Sequence, residues 1–301
     1  MPRKKVELSE ALEGFYRMYQ TKEINELIKA IPHPVPPTGI NLMGTAKFQQ
    51  GDITITIRGY NAFCRKPTAT TAQFFDCLML QYTKDKDPLV KLPIAEYMSM
   101  RKIKDSKEAV LQAKTASAHL RAVSYEFKNK KGSLLQIDLA GGTRFFDVEK
   151  GVIWFRLNPD FIASIDHSQY MEYPVILLQL NTNNNPWSFY LGRKLTEYKR
   201  INITDGKNGG NSISVKSLLE ACPNFPDPSK TRHITREIIK PFERDMNALK
   251  EMLSWKYRDG KPKDHQEFMR AMIDVTWHNY PEISIKSSKA KVTRNDGAEN
   301  A

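Results

Sequence analysis

One succession of local patterns occurs twice in this chain: two helical stretches, then two strand-like runs separated by turns. A chain that repeats this order must build helices against small sheets, because neither run of strands is long enough to make a sheet that covers itself. In the first half, Ala69 to Tyr82 reads as a buried helix and Ile94 to Met100 as a short one. Asp105, with Glu108 three positions later, opens a longer helix that the spacing carries to about Asn129. Leu134–Leu139 and Val152–Leu157 then read as the two strands of a hairpin, and Asn158-Pro159 supplies the cap and first turn of another short helix. In the second half, helices are expected over Pro186–Arg200 and Val215–Ala221. A long helical segment from Ser229 to Met252 follows, then a hairpin of Leu253–Tyr257 with Ile273–Trp277 around Asp259-Gly260. The class expected is α+β.

The 301 residues allow two units of ordinary size, each with its own core. Four segments are expected. Residues 1–44 are a leader helix, with Leu8, Leu12, Phe15, Met18, Ile24, Leu27 and Ile28 at helical spacing, ended by the proline run 32–37. Residues 45–170 and 171–285 are the two repeats of the plan, and 286–301 a solvated basic tail. No apolar run approaches the roughly 18 residues of a membrane span. The start of the chain lacks a signal-peptide core. Three cysteines, Cys64, Cys77 and Cys222, form no CxxC pair, so reduced thiols and a cytoplasmic location are expected.

The chain carries 46 Lys plus Arg against 34 Asp plus Glu, a net charge of +12. Such an excess attracts polyanions. It is concentrated: residues 229–294 hold 15 Lys plus Arg against 9 Asp plus Glu. Within that stretch Arg232, Arg236, Lys240 and Arg244 recur every four residues, while Ile234, Ile238, Phe242, Met246 and Leu249 recur at three and four. A helix so patterned buries one face and shows cations on the other. It can enter the major groove of duplex DNA with its N-terminal part at base edges, where Arg gives bidentate bonds to guanine. Lys230, Thr231, Arg232, His233 and Arg236 are the first candidates, followed by Lys240 and Arg244. A solvated face of an ordinary amphipathic helix is the plain alternative. Pro241 should bend or divide this helix, since it removes a backbone donor. Arg258, Lys261 and Lys263 surround the turn at Asp259-Gly260, where they could touch phosphate. Secondary candidates are Lys107, Lys114 and Arg121, which with Lys128 fall at seven-residue intervals, and Arg193 and Lys194. The first group could equally form a solvated or dimer surface.

Catalytic patterns are sparse. There is no GxxxxGK[ST], GxGxxG or GxSxG, and the histidines at 33, 119, 167, 233, 265 and 278 form no HxH or HExxH pair. Asp85 and Asp87, interleaved with Lys84 and Lys86, read as a solvated turn rather than a metal site, and Tyr198 as a packing residue rather than a nucleophile. No cofactor, no metal and no enzymatic activity are expected.

The run Arg236 to Leu249, with its internal proline, resembles the C-terminal recognition helix of plasmid replication initiators with tandem winged-helix domains. Ser188 to Leu195 and Ile213 to Leu219 look like the first two helices of that family's second domain. In the first half, Thr71 to Asp76, Ile94 to Met98 with Arg101, and Gly151 to Phe155 before Asn158-Pro159 resemble its first domain more loosely. The resemblance implies two winged-helix domains in tandem and sequence-specific binding of double-stranded DNA at repeated origin sites. It further implies a homodimer that represses its own gene, and recruitment of a host initiator and the replicative helicase. A winged-helix transcriptional repressor is the second reading, and a relaxase or nickase the third.

Overall fold

A computed structural model describes residues 15–20, 22–31, 46–50, 53–57, 69–128, 134–141, 151–165, 169–204, 211–223 and 225–278. The chain is mixed helix and sheet, with four small sheets among the described residues. Residues 8–14 of the expected leader helix, the proline run at 32–37, Cys64 and the tail from 286 lie outside the described residues.

The leader is not a single helix. Phe15–Gln20 forms strand β1, and only Lys22–Ala30 forms helix α1. The helical spacing misled here because Phe15, Tyr16, Met18 and Tyr19 also suit a strand, and a partner exists for one. That partner is β8 (Gln169–Pro174), antiparallel in the register Phe15↔Pro174 to Gln20↔Gln169. Ile24, Leu27, Ile28 and Ile31 then bury the inner side of α1.

Helix α2 (Ala69–Asp85) is buried on all sides from Thr71 to Thr83, the pattern of a central helix. It leads into β4 (Leu89–Pro93), α3 (Ile94–Arg101) and α4 (Ser106–Ala122). Lys102, with φ 50°, sits in the left-handed region at the end of α3, and its backbone N–H closes onto the Met98 and Ser99 carbonyls. That cap turns the chain sharply enough for α4 to begin four residues later.

Helix α4 stops at Ala122, seven residues short of the expectation. Val123–Lys128 is strand β5, where V-S-Y-E-F-K alternates with period two and places β-branched and aromatic residues on alternate positions. This strand also corrects the first hairpin. Strand β6 (Leu134–Asp138) pairs with β5, whereas β7 (Val152–Arg156) pairs with β4, and the isolated bridge Ala140↔Leu157 joins the segments that follow β6 and β7. A period-two run announces a strand but not its partner. Two further strands, β2 (Ala46–Gln50) and β3 (Ile53–Ile57), extend the ribbon into a four-stranded sheet of order β2-β3-β5-β6. Helix α5 (Pro159–Ile165) follows β7 as the Asn158-Pro159 signal requires, with Asn158 Oδ1 accepting from the Asp160 N–H.

The second half runs α6 (Ile176–Gln179), α7 (Ser188–Thr204), β9 (Ser212–Ser214) and α8 (Val215–Leu219). A single 3-10 turn at Pro228–Lys230 leads toward a wide π turn at Thr235–Ile239, which passes directly into α9 (Lys240–Asn247). Strand β10 (Leu253–Tyr257), helix α10 (His265–Arg270) and strand β11 (Met272–Trp277) complete it. The sheet order is β10-β11-β9, antiparallel throughout. The hairpin is the expected one, from Leu253↔Trp277 to Tyr257↔Ile273, but its connection contains α10. Asp264 caps that helix by accepting from the Glu267 N–H at 2.9 Å, a D-x-x-E signature legible in the sequence.

Pro241 stands where the helix divides, in the first turn of α9 just after the π turn 235–239. The wide turn ahead of it lets the Lys240 N–H reach back to the Thr235 carbonyl, so the missing donor at 241 falls where the hydrogen-bond ladder has already changed step. Gly192 explains how α7 approaches its neighbours: a Cβ there would overlap Leu177 Cδ2 and lie 2.9 Å from Leu249 Cδ2. The two halves are joined by a buried ion pair. Arg193 of α7 donates from Nε to Asp76 Oδ2 of α2 at 3.0 Å, and its NH1 donates to the Asn25 side chain of α1.

Candidate nucleic-acid interface

The segment that should hold the principal cations starts later as a helix than its spacing implied. Asp227 accepts from the Ser229 N–H at 2.9 Å and from its hydroxyl at 2.7 Å, while Thr231 Oγ1 donates to the Asp227 carbonyl at 3.0 Å. These bonds fold 227–231 into a capped turn. Lys230, Thr231, Arg232 and His233 therefore lie on the approach to the helix, and Arg236, Lys240 and Arg244 on the helix itself. The His233 carbonyl accepts from the N–H groups of Arg236 and Glu237, which starts the first turn. Ile238, Phe242, Met246 and Leu249 are buried, as their periodicity requires, and Ile239 joins them, whereas Ile234 is only half-buried. Arg232, His233, Arg236 and Lys240 are exposed.

The cations differ in what holds them. Arg232, Arg236 and Lys240 make no ion pair among the described residues. Lys230 lies 3.4 Å from Asp227 with its side chain 83% exposed, a contact worth little in water. Arg244 is tied to Asp245, from Nε at 3.0 Å and from NH2 at 2.9 Å. Asp245 is itself buried and accepts from the Trp187 N–H at 2.7 Å, so it anchors α9 to the start of α7. Burial pushes its carboxyl above the usual range, against the pull of those donors.

The basic turn after β10 is more committed than the sequence suggested. Arg258 donates to Asp274 at 2.8 Å and to Ser212, bracing β10 against β11 and β9. The Arg258 guanidinium and the Ser212 hydroxyl in turn hold Asp274 below the usual carboxylate range. Lys261 reaches back to Glu243 of α9 at 2.7 Å. The Lys263 backbone N–H donates to Glu267 Oε2, leaving its ammonium exposed. The turn is thus strapped to the helix.

In the first half, Lys107, Lys114 and Arg121 lie on the exposed face of α4, while Ala109, Ala113, Ala116 and Leu120 are buried on the other. Lys128 falls on β5 instead. Arg193 and Lys194 do not join either face. Arg193 is 4% exposed and spends its guanidinium on Asp76 and Asn25, a correction that no local pattern could supply. Lys194 pairs with Glu197 at 3.1 Å on the wall of a cleft of about 370 Å³ between α1, α7 and α8. Burial raises the Asp76 carboxyl, and Arg193 offsets this only in part.

Three further features bear on chemistry. Cys77 and Cys222 are buried free thiols, and burial pushes Cys77 up to about 12, which leaves it inert. Tyr198 is half-buried against the core. Among the described residues no cluster of three or more His, Cys, Asp or Glu could hold a metal ion, and no helix is long and apolar enough to cross a membrane.

No model of a protein family matches the chain, and no curated protein matches it. Among solved structures, the chain is similar to a two-domain crystal structure of RctB. Domains 2–3 of RctB superpose with a TM-score of 0.48 at 12% identity, covering 83% of this chain and 96% of that one. A selenomethionine derivative of the same two domains gives 0.47 at 11%, covering 84% and 97%.

Proposed function

We propose that the chain is a double-stranded DNA-binding protein of two winged-helix units, and that it initiates replication of a plasmid or related element at repeated origin sites. The observation that carries the DNA-binding reading is the recurrence of one element order, helix, strand, helix, helix, strand, strand, in which the second of the paired helices turns cations outward both times. In the first half these are α2, β4, α3, α4, β5 and, after the inserted β6, β7. In the second they are α7, β9, α8, the 235–247 helix, β10 and, after the inserted α10, β11. In each half the first strand pairs with the last, β4 with β7 and β9 with β11. A helix with one face buried and cations on the other can enter the width of a major groove.

On this reading Arg232 and Arg236 reach base edges and Lys230 and Lys240 reach phosphate. Arg258 and Lys261 set the turn beside the helix rather than reading sequence. Lys107, Lys114 and Arg121 give the first half its own contact with the duplex. The initiator role rests on the sequence resemblance of 188–195, 213–219 and 236–249 to plasmid initiators. A homodimer, autorepression and recruitment of a host initiator and helicase accompany that role. The protein does no covalent chemistry: it grips adjacent segments of duplex and loosens a deformable A·T-rich neighbour.

Three measurements test this. With 6 to 10 phosphates engaged, log affinity for a duplex should fall against log salt with a slope on the order of −5 to −9. A flat response refutes the interface. A plasmid carrying the coding region and its flanking DNA should replicate in a suitable host; repression of the promoter without replication would assign the chain to the repressors. Nicked product from supercoiled plasmid with a divalent metal would make it a nickase.

A further inference from the structure

One side chain on the first-half face serves neither core nor charge. Leu111 is 66% exposed, the most exposed large apolar side chain among the described residues. It stands in the middle of α4, four positions after Lys107 and three before Lys114. At about 100° per residue, Lys107, Leu111, Lys114, Ala118 and Arg121 fall within roughly a quarter of the helix circumference, opposite the buried alanines and Leu120. Glu108, the one acid of this helix, lies off that stripe and accepts from Gln112 Nε2 at 2.9 Å. Lys107 and Lys114 make no ion pair among the described residues.

The stripe is therefore apolar at its centre and cationic along its length. A second copy of the chain is a poor occupant, since a two-fold contact through Leu111 would set Lys107, Lys114 and Arg121 against their own equivalents. A major groove matches both features. Its walls carry phosphates, and the 5-methyl group of thymine is the apolar group on its floor. We propose that Leu111 reads a thymine methyl group in the major groove, with Lys107 and Lys114 held by the flanking phosphates. The inference rests on the DNA-binding reading and adds to it a base preference for the first half.

The test uses the full chain. A duplex is first enriched from a randomised duplex library, and each thymine of the enriched site is then replaced in turn by uracil, which removes only the methyl group. Uracil at one position should weaken binding by the native protein about 3- to 10-fold. Leu111→Ala should bind the thymine duplex more weakly by a similar factor and no longer distinguish uracil there. The exposure of Leu111 makes loss of folding an inadequate explanation, and circular dichroism of the variant checks this. Indifference of the native protein to every uracil, or a penalty that Leu111→Ala retains, overturns the inference while leaving DNA binding intact. A Leu111→Ala variant with native DNA affinity that sediments as a monomer where the native chain is a dimer assigns the stripe to a second copy and also overturns it. Failure of the chain to enrich any duplex overturns the DNA-binding reading, and this inference with it.

Discussion

The two halves share an element order but secure their outward helices differently. In the second half the helix is strapped from several sides: Asp245 ties it to the start of α7, Glu243 holds Lys261 of the following turn, and Asp227 caps the approach. Its free cations, Arg232, Arg236 and Lys240, are what remains after those pairs are made. In the first half Lys107 and Lys114 of α4 make no ion pair among the described residues, and the acid of that helix, Glu108, is bonded to Gln112. The position of α4 is set instead by the left-handed cap at Lys102 and by β5, which continues straight into a four-stranded sheet. Ion pairs on the surface contribute little stability but fix geometry, whereas strand pairing fixes geometry through the backbone. The second half thus has cations placed by other side chains, and the first has cations placed by the fold alone.

The strongest way to break this comparison is at the junction between the halves. Asp76→Ala would leave the Arg193 guanidinium buried without its carboxylate, and should cost about 3 to 5 kcal/mol in a denaturant titration of the full chain. Lys261→Ala, at a pair whose lysine is half exposed, should cost under about 1 kcal/mol. The double variant Asp76→Leu, Arg193→Met should recover much of the loss, because an apolar pair of similar size leaves no stranded charge. Equal losses for Asp76→Ala and Lys261→Ala would show that the buried pair is not what joins the halves.

A second comparison sharpens the division between reading and positioning. Arg236→Ala should cost about 1 to 3 kcal/mol of DNA affinity and relax the preference at one base pair. Lys107→Ala should weaken binding to all sequences alike and lower the salt slope by about 1. Quantitative footprinting over a series of salt concentrations separates the two. If Lys107→Ala changed sequence preference while Arg236→Ala did not, the halves would have exchanged roles.

How far the sequence foretold this arrangement depends on the distance over which each feature is specified. The cation stripe and its apolar counterface in 234–249 are local and periodic, and the side chains fall as the spacing requires. The junction of α4 with β5 was hidden because Lys107, Lys114, Arg121 and Lys128 continue a helical interval through residues whose β-branched and aromatic alternation says otherwise. The partners of β6 and β7 were hidden because alternation carries no address. Arg193 was misassigned because its carboxylate lies 117 residues away, and no window along the chain contains both. Leu111 could have been found: it interrupts a cationic stripe at the one place where the apolar face gives no reason for a leucine.

The smallest expected effect concerns acid. His119, near the end of α4, is buried and shares a hydrogen bond of 3.2 Å with Thr71 Oγ1 of α2. Burial lowers its pKa below the ordinary 6.5, since the charged imidazolium would lose its water. A histidine depressed in the folded state binds fewer protons there than in the unfolded chain. Its contribution is therefore intact above about 6.5 and is lost as the pH falls from there toward the lower folded value. The second half has no buried histidine among its described residues: His233 and His278 are exposed and His265 is half-buried. Amide hydrogen exchange, corrected for its intrinsic pH dependence, should show α2 and α4 losing protection between pH 7 and pH 5.5 before α7 and α9 do. His119→Gln, which cannot charge, should remove that difference. Loss of protection in α9 at the same pH as in α4 would mean that the halves open together, and that the Asp76–Arg193 junction, rather than the separate anchoring of each helix, governs how this molecule comes apart.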